Sequence, residues 1–141
     1  MRLSRTELRV FASLLRLAAE GSRVAPDLDA SRAIFEGTFA RAHRETRTGM
    51  RALLFALEWM PFLFGCWRFW QPFSRRTRDE QLAYIDRIQH SRYAMRRLVF
   101  KGVSAAVQLA HYARPEVQRA VGYDARALNA HYQSAPRDRA G

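Results

Sequence analysis

The spacing of apolar residues along the chain is typical of amphipathic helices. In the first twenty positions, apolar residues recur every three or four places. The sequence Ser4-x-x-Glu7 before them is a capping box, in which a side chain at each end bonds to the backbone of the first turn. Gly21 follows and is suited to end a helix. The pattern therefore predicts a first helix over about 5–20.

Two further helices are predicted before the middle of the chain. Asp29 is placed to cap the second helix, since its carboxylate can accept a hydrogen bond from the first turn. Thr48 and Gly49 precede the apolar stripe of the third helix. That helix should stop or kink near Met60, because Pro61 lacks the backbone donor that a continuing helix needs.

The C-terminal half carries one long helical pattern. Thr77-x-x-Glu80 is a second capping box, and the stripe that follows reaches about Ala113. A helix of this length would span about 54 Å, which is unusually long, so we expect a kink near His90 and Ser91. The apolar stripe that carries this pattern consists of Leu82, Ile85, Ile88, Met95, Leu98, Val99, Gly102, Val103, Ala106, Val107 and Ala110.

The end of the chain predicts one short helix and a tail. Pro115 is suited to the first position of a helix that Gly122 could end, and residues 133–141 read as a frayed tail. No alternating strand pattern is present. We therefore predict an all-α fold, a compact bundle of about five helices that includes the long C-terminal-half helix, in a single domain over 1–132.

Aromatic residues are concentrated between Trp59 and Phe73, where they occupy seven of fifteen positions. Seven such rings could remove about 1,000–1,750 Å² from water. One partner contributes roughly 800 Å² to a standard interface, so this segment is large enough to form one. A helical domain of this length could also bury the same rings in its own core. The sequence leaves both alternatives open.

The charge balance favours an anionic partner. The chain of 141 residues has a formal net charge of +11, which attracts nucleic acid, anionic membranes or acidic proteins. A basic face on the long helix is the basis of a nucleic-acid alternative: Arg75, Arg76, Arg78, Arg92, Arg96, Arg97 and Lys101. The apolar stretch 52–70 has membrane-spanning length, but Glu58 and Arg68 make insertion unfavourable and leave peripheral membrane association as another alternative.

No set of residues typical of catalysis or cofactor binding is present. Cys66 is the single cysteine, so zinc and haem attachment motifs are missing. The four histidines form no pair at i, i+4, and no glycine-rich phosphate loop or nucleophile elbow occurs. We expect no catalytic, cofactor-binding or metal-binding residues in this chain. The first residues run directly into an amphipathic pattern and predict no export signal.

The second half of the chain resembles a known family. The residues that carry the resemblance are Pro72-Phe73-Ser74, the arginine-rich cap, the long helix, and Tyr112-Ala113-Arg114-Pro115-Glu116-Val117 followed by Gly122-Tyr123-Asp124. This succession resembles the small helical subunit of GMC-type flavin-dependent oxidoreductases, the gluconate 2-dehydrogenase subunit 3-like group. The resemblance covers about 50–124. It implies a non-catalytic accessory subunit whose partner flavoprotein holds FAD and the substrate of an alcohol or sugar oxidation.

The aromatic segment and the motif after the long helix together define a predicted partner-binding site. Its residues are Trp59, Phe62, Trp67, Trp70, Phe73, Tyr112, Pro115, Gly122 and Tyr123. The expected partner is a GMC-type flavoprotein, with a membrane surface and nucleic acid as alternatives. The expected location is the cytoplasm, peripheral at the inner membrane face, because the basic charge suits an anionic surface there.

Overall fold

The computed structural model describes residues 2–20, 22–63 and 71–122. Within these ranges all regular structure is helical, which confirms the all-α prediction. The six α-helices and one short 3₁₀ helix are, in order, α1 (Arg5–Ala19), α2 (Leu28–Ala40), α3 (Arg44–Leu63), the 3₁₀ helix (Phe73–Arg75), α4 (Arg78–Gln89), α5 (Ala94–Tyr112) and α6 (Pro115–Ala120).

Side-chain caps fix where several helices begin. Both predicted capping boxes are formed, at Ser4 before α1 and at Thr77 before α4. The cap of α2 is Asp27 instead of Asp29, because the Asp27 carboxylate accepts a hydrogen bond from the backbone of Ala30 at 3.0 Å. Asp29 lies in the first turn, where its negative charge is favourable toward the helix dipole.

The third helix is longer than predicted at both ends. It begins at Arg44, ahead of Thr48 and Gly49, and continues through Pro61 to Leu63. A proline this close to a helix end removes only one of the last backbone hydrogen bonds, so the helix can include it and still finish two residues later.

The long helical pattern is divided into two helices. α4 ends at Gln89, residues 90–93 are non-helical, and α5 starts at Ala94. The predicted kink near His90 and Ser91 is thus a full break. Backbone groups freed there find other partners: the Arg97 guanidinium donates to the Ser91 carbonyl, and the Ser91 hydroxyl accepts from the backbone of Tyr93 at 3.3 Å.

The α5 helix is the centre of the bundle. It packs against α1, α2, α3 and α4, and α6 packs on its C-terminal end. The core around it is made of buried side chains from α1 to α5 and from the 3₁₀ helix, among them Val10, Phe11, Leu14, Leu15, Phe35, Leu54, Leu57, Phe73, Ile88, Val99, Val103 and Val107. The bundle is therefore arranged around α5, which corresponds to the second half of the long helix predicted from the sequence.

The short helix predicted after α5 is formed, and both of its ends are as the sequence predicts. Pro115 is the first residue of α6, where its missing N–H would have no helical partner in any case. Gly122 follows the helix with a φ of 73°, a left-handed conformation that glycine adopts without steric cost. The C-terminal tail predicted at 133–141, and the domain boundary at 132, lie outside the described residues.

Candidate interaction surface

One face of α5 is apolar and exposed to solvent. We call it the outer seam; its five residues are Met95, Leu98, Ala105, Leu109 and Tyr112. The four large side chains keep 70%, 64%, 61% and 43% of their surface exposed, in chain order. They recur at steps that place them on one side of a helix, along about 25 Å of its length. Large exposed apolar side chains gathered on one helix face in this way mark an interaction site more often than singly scattered ones do.

Apolar side chains occupy a wide arc of the α5 circumference. The core covers only part of this arc, and the outer seam is the part that stays exposed. Val99, Val103 and Val107 point into the bundle and are buried. Met95 and Leu98 belong to the same apolar stripe in the sequence. These two residues nevertheless lie on the solvent side of the arc, which the spacing alone does not distinguish from the buried side. The sequence signal was present, because an apolar arc of more than half the helix surface exceeds what one core requires.

The outer seam has a small-residue contact on one side and a polar border on the other. At Gly102, a Cβ atom would lie 3.3 Å from Cδ1 of Leu53, so α3 and α5 approach closely there. On the opposite side the surface is formed by Lys101 and Gln108, which are exposed, and Ser104, which is half-buried. The seam is therefore a strip of defined width with a polar rim, as expected for a docking face.

The turn between α5 and α6 extends the apolar surface. Tyr112 and Pro115 are exposed, and Val121 is 59% exposed just after α6. Beneath them Arg114 is buried, and its guanidinium donates to the carbonyl of Ala25 at 3.1 Å. This bond attaches the turn to the connector before α2, so the exposed residues are held on a fixed support.

The aromatic residues predicted to bind a partner have different environments. Trp59 is half-buried, and its ring lies 6.1 Å from that of Phe55, which is 59% exposed. Phe73 is fully buried in the core and packs on Tyr84 at 5.6 Å between ring centroids. Because it has no exposed surface, we remove Phe73 from the predicted site.

Several residues of the predicted site fall outside what the structure describes. These are Trp67, Trp70 and Tyr123, together with the side chain of Phe62. Of the predicted set, Tyr112, Pro115 and Gly122 lie together around α6, and all three are exposed. Phe55, Leu98 and Leu109 were not in the predicted set.

The predicted basic face of one long helix is not formed as a single surface. Arg78 donates to both carboxylate oxygens of Glu20, at 2.6 and 2.9 Å, and this hydrogen-bonded pair lowers the pKa of Glu20. Arg76 is buried and lies over the ring of Tyr84. After the break, Arg96 lies over the ring of Tyr93 at 4.6 Å. These contacts occupy cations that the nucleic-acid alternative would need.

A cleft of about 260 Å³ lies beside the Glu20 and Arg78 pair. Its lining residues are Arg16, Leu17, Glu20, Ser74, Arg76, Arg78 and Gln81. The side-chain amide of Gln81 donates to the backbone carbonyl of Phe73, and the guanidinium of Arg76 donates to that of Gln71. The cleft lining thus holds the 3₁₀ helix against α1 and α4, and it contains no thiol or imidazole that could act as a nucleophile or base.

His111 is a buried imidazole near the C-terminal end of α5. It is fully buried, and neither ring nitrogen has a hydrogen-bond partner. Burial lowers the pKa of His111 because it disfavours the charged imidazolium, and the positive charge of Arg114 acts in the same direction. The neutral ring is therefore the form that the folded protein accommodates.

Acidification is expected to destabilise the protein through His111. Above an unfolded-state pKa of about 6.5 the ring is neutral in both states, so its contribution is constant. As the pH falls below that value, the unfolded chain binds the proton first, and stability falls by at most about 1.4 kcal/mol per pH unit. Urea unfolding between pH 7 and 5 should show this loss reduced in His111→Leu and unchanged in His43→Leu. An equal loss in all three proteins would contradict the prediction.

Two absences within the described residues concern membrane insertion and metal binding. No helix in the described ranges is both long and apolar enough to cross a membrane. Within the same ranges, histidine, cysteine and acidic side chains form no group of three that could hold a metal ion.

Comparisons with known proteins give no relative. No protein-family model, curated protein or solved structure matches the chain. The resemblance to small subunits of GMC-type oxidoreductases therefore stays a prediction that rests on the residues quoted above.

Proposed function

We propose that the chain is a non-catalytic accessory subunit that docks on a larger protein through the outer seam of α5 and the turn that follows it. The observation that carries this proposal is the exposed apolar seam on the helix at the centre of the bundle. The sequence resemblance supplies the class of partner, a GMC-type FAD-dependent alcohol or sugar oxidoreductase. In such a complex FAD and the reacting substrate belong to the partner chain.

The apolar surface is large enough to matter energetically. Covering the exposed parts of Leu98 and Leu109 would contribute on the order of 1–2 kcal/mol each, and Met95 a similar amount. Tyr112 adds an amphipathic ring, a residue type that is enriched among the side chains that dominate binding energy. The turn is attached to the bundle by Arg114, so little order has to be gained on binding.

The test is co-purification with a flavoprotein partner, identified by the visible absorbance of FAD. We expect Leu98→Asp and Leu109→Asp each to weaken binding by about 30-fold or more, because a charge would be buried in an apolar interface. Phe55→Asp is the matched control, since Phe55 is equally exposed on another helix.

Recovery of the flavoprotein with the control variant but not with the two seam variants would support the proposal. Recovery that is equal for all three variants, or lost only with Phe55→Asp, would contradict it. Each variant is first checked for an unchanged helical circular dichroism spectrum, so that a folding defect is not counted as a binding defect.

A further inference from the structure

The outer face of α3 combines arginines and aromatic side chains in one stripe. Arg44, Thr48, Arg51, Phe55 and Trp59 follow one another at steps of three or four residues, which places them on one side of the helix. The first half of the stripe is basic and the second half is aromatic. Neither half is part of the outer seam, which lies on α5.

The basic half forms an open groove of about 320 Å³, lined by Arg44, Arg47, Thr48 and Arg51. The guanidinium of Arg51 donates to the carbonyl of Arg2 at 2.7 Å. This bond places the N-terminal segment, with Arg2, beside the groove. The Arg51 guanidinium also lies 3.7 Å from the carboxylate of Glu7.

Positive charge exceeds negative charge around the groove. Glu45 is the acid of the first turn of α3, and Glu7 is the acid that reaches the groove from α1. The positive charges around the groove are those of Arg44, Arg47 and Arg51, with Arg2 beside them, and they outnumber these two carboxylates. The positive end of the α3 dipole lies at the same place and adds to the attraction for an anion.

The aromatic half is apolar and partly open to solvent. The Phe55 ring is 59% exposed and lies next to Trp59, at 6.1 Å between ring centroids. From Arg44 to Phe55 the helix rises by about 16 Å, so both halves can face one flat surface at the same time. Tryptophan and arginine are the residue types that interfacial helices use at the boundary of headgroups and acyl chains.

We propose that the outer face of α3 binds an anionic phospholipid surface. The arginines of the groove contact lipid phosphates, and Phe55 with Trp59 enters the interfacial layer. A nucleic acid would satisfy the arginines alone, because the aromatic rings follow them along the helix and do not alternate with them as in a stacking platform. A lipid surface uses both halves, and its flat geometry matches an exposed helix face.

The test is co-sedimentation of the full chain with vesicles of phosphatidylcholine alone and with mixed phosphatidylglycerol and phosphatidylcholine vesicles. We expect binding to the mixed vesicles only. Arg44→Gln with Arg47→Gln should weaken that binding by about 30-fold, and Phe55→Ser by about tenfold. High salt should weaken binding of the unaltered protein.

Two matched controls make the result specific. Arg87→Gln with Arg119→Gln removes the same charge from α4 and α6, which pack on α5, and should leave most of the binding in place. Leu98→Ser removes an apolar side chain of similar exposure from the outer seam and should also leave it in place. A variant counts only if its helical circular dichroism spectrum is unchanged.

Three outcomes would overturn the proposal. The first is equal binding to neutral and mixed vesicles. The second is an equal loss of vesicle binding in the double variant of Arg44 and Arg47 and in the double variant of Arg87 and Arg119. The third is tight, salt-sensitive binding to duplex DNA that is lost with Arg44→Gln and Arg47→Gln, combined with binding to DNA and to vesicles that Phe55→Ser leaves unchanged. That result would assign the groove to nucleic acid. None of these results depends on the outer seam, so the proposed function can fail or stand separately.

Discussion

Replacing Phe35 by alanine is expected to lower the free energy of unfolding by about 3–5 kcal/mol. Phe35 is 1% exposed, and its ring lies between those of Phe11 and Phe39, at 5.0 and 4.7 Å between centroids. It joins α2 to α1 in the core, so its removal leaves a cavity that the surrounding side chains would have to fill. A loss of this size is a large fraction of the 5–15 kcal/mol that holds a typical domain folded.

Urea denaturation followed by circular dichroism measures this effect. Phe55→Ala is the matched control, since it deletes the same atoms from a ring that is mostly in water, and we expect a change within about 0.5 kcal/mol. If the two variants lost equal stability, the assignment of Phe35 to the core and Phe55 to the surface would be wrong.

Replacing Glu58 by leucine is expected to cost about 2–4 kcal/mol. Glu58 is 2% exposed on α3, and its carboxylate accepts from the backbone of Ser74 at 2.9 Å and from the Ser74 hydroxyl at 2.6 Å. Without it, both donors on Ser74 lose their protein partner at the half-buried junction between α3 and the 3₁₀ helix. The bond pair joins the C-terminal half of α3 to the 3₁₀ helix, so it also fixes where the chain returns after residues 64–70.

A double-mutant cycle with Ser74→Ala isolates this interaction. We expect a coupling free energy of about 1–3 kcal/mol between the two positions, because each variant removes one side of the same bonds. Glu58→Gln should cost less than Glu58→Leu, as its amide keeps one acceptor oxygen. Additive losses in the cycle would show that Glu58 and Ser74 act independently and would contradict this account.

The fold was predictable where a local signal determined it. The capping boxes at Ser4 and Thr77 and the glycine at 122 specify helix ends through bonds within a few residues, and all three are formed as predicted. The break at residues 90–93 was predicted only as a kink. Its extent depends on bonds such as that from Arg97 to Ser91, which periodicity does not reveal.

The candidate site was less predictable because burial depends on tertiary packing. Phe73 and Trp59 belong to one aromatic run in the sequence, yet one is fully buried and the other half-buried. Leu98 and Val99 are neighbours with similar hydrophobicity, and the packing of the other helices around α5 decides which of them is exposed. Glu58 was interpreted as a charge that opposes membrane insertion, whereas the structure gives it a specific partner in Ser74.

We propose that a flavoprotein partner covers the outer seam of α5. Site-specific photo-cross-linking tests it most directly: a photoreactive amino acid replaces Leu98 in one protein and Arg87, on α4, in a second. We predict a covalent adduct with an FAD-containing protein from position 98 and none from position 87. An adduct of equal yield from both positions, or no flavoprotein adduct from position 98, would contradict the claim.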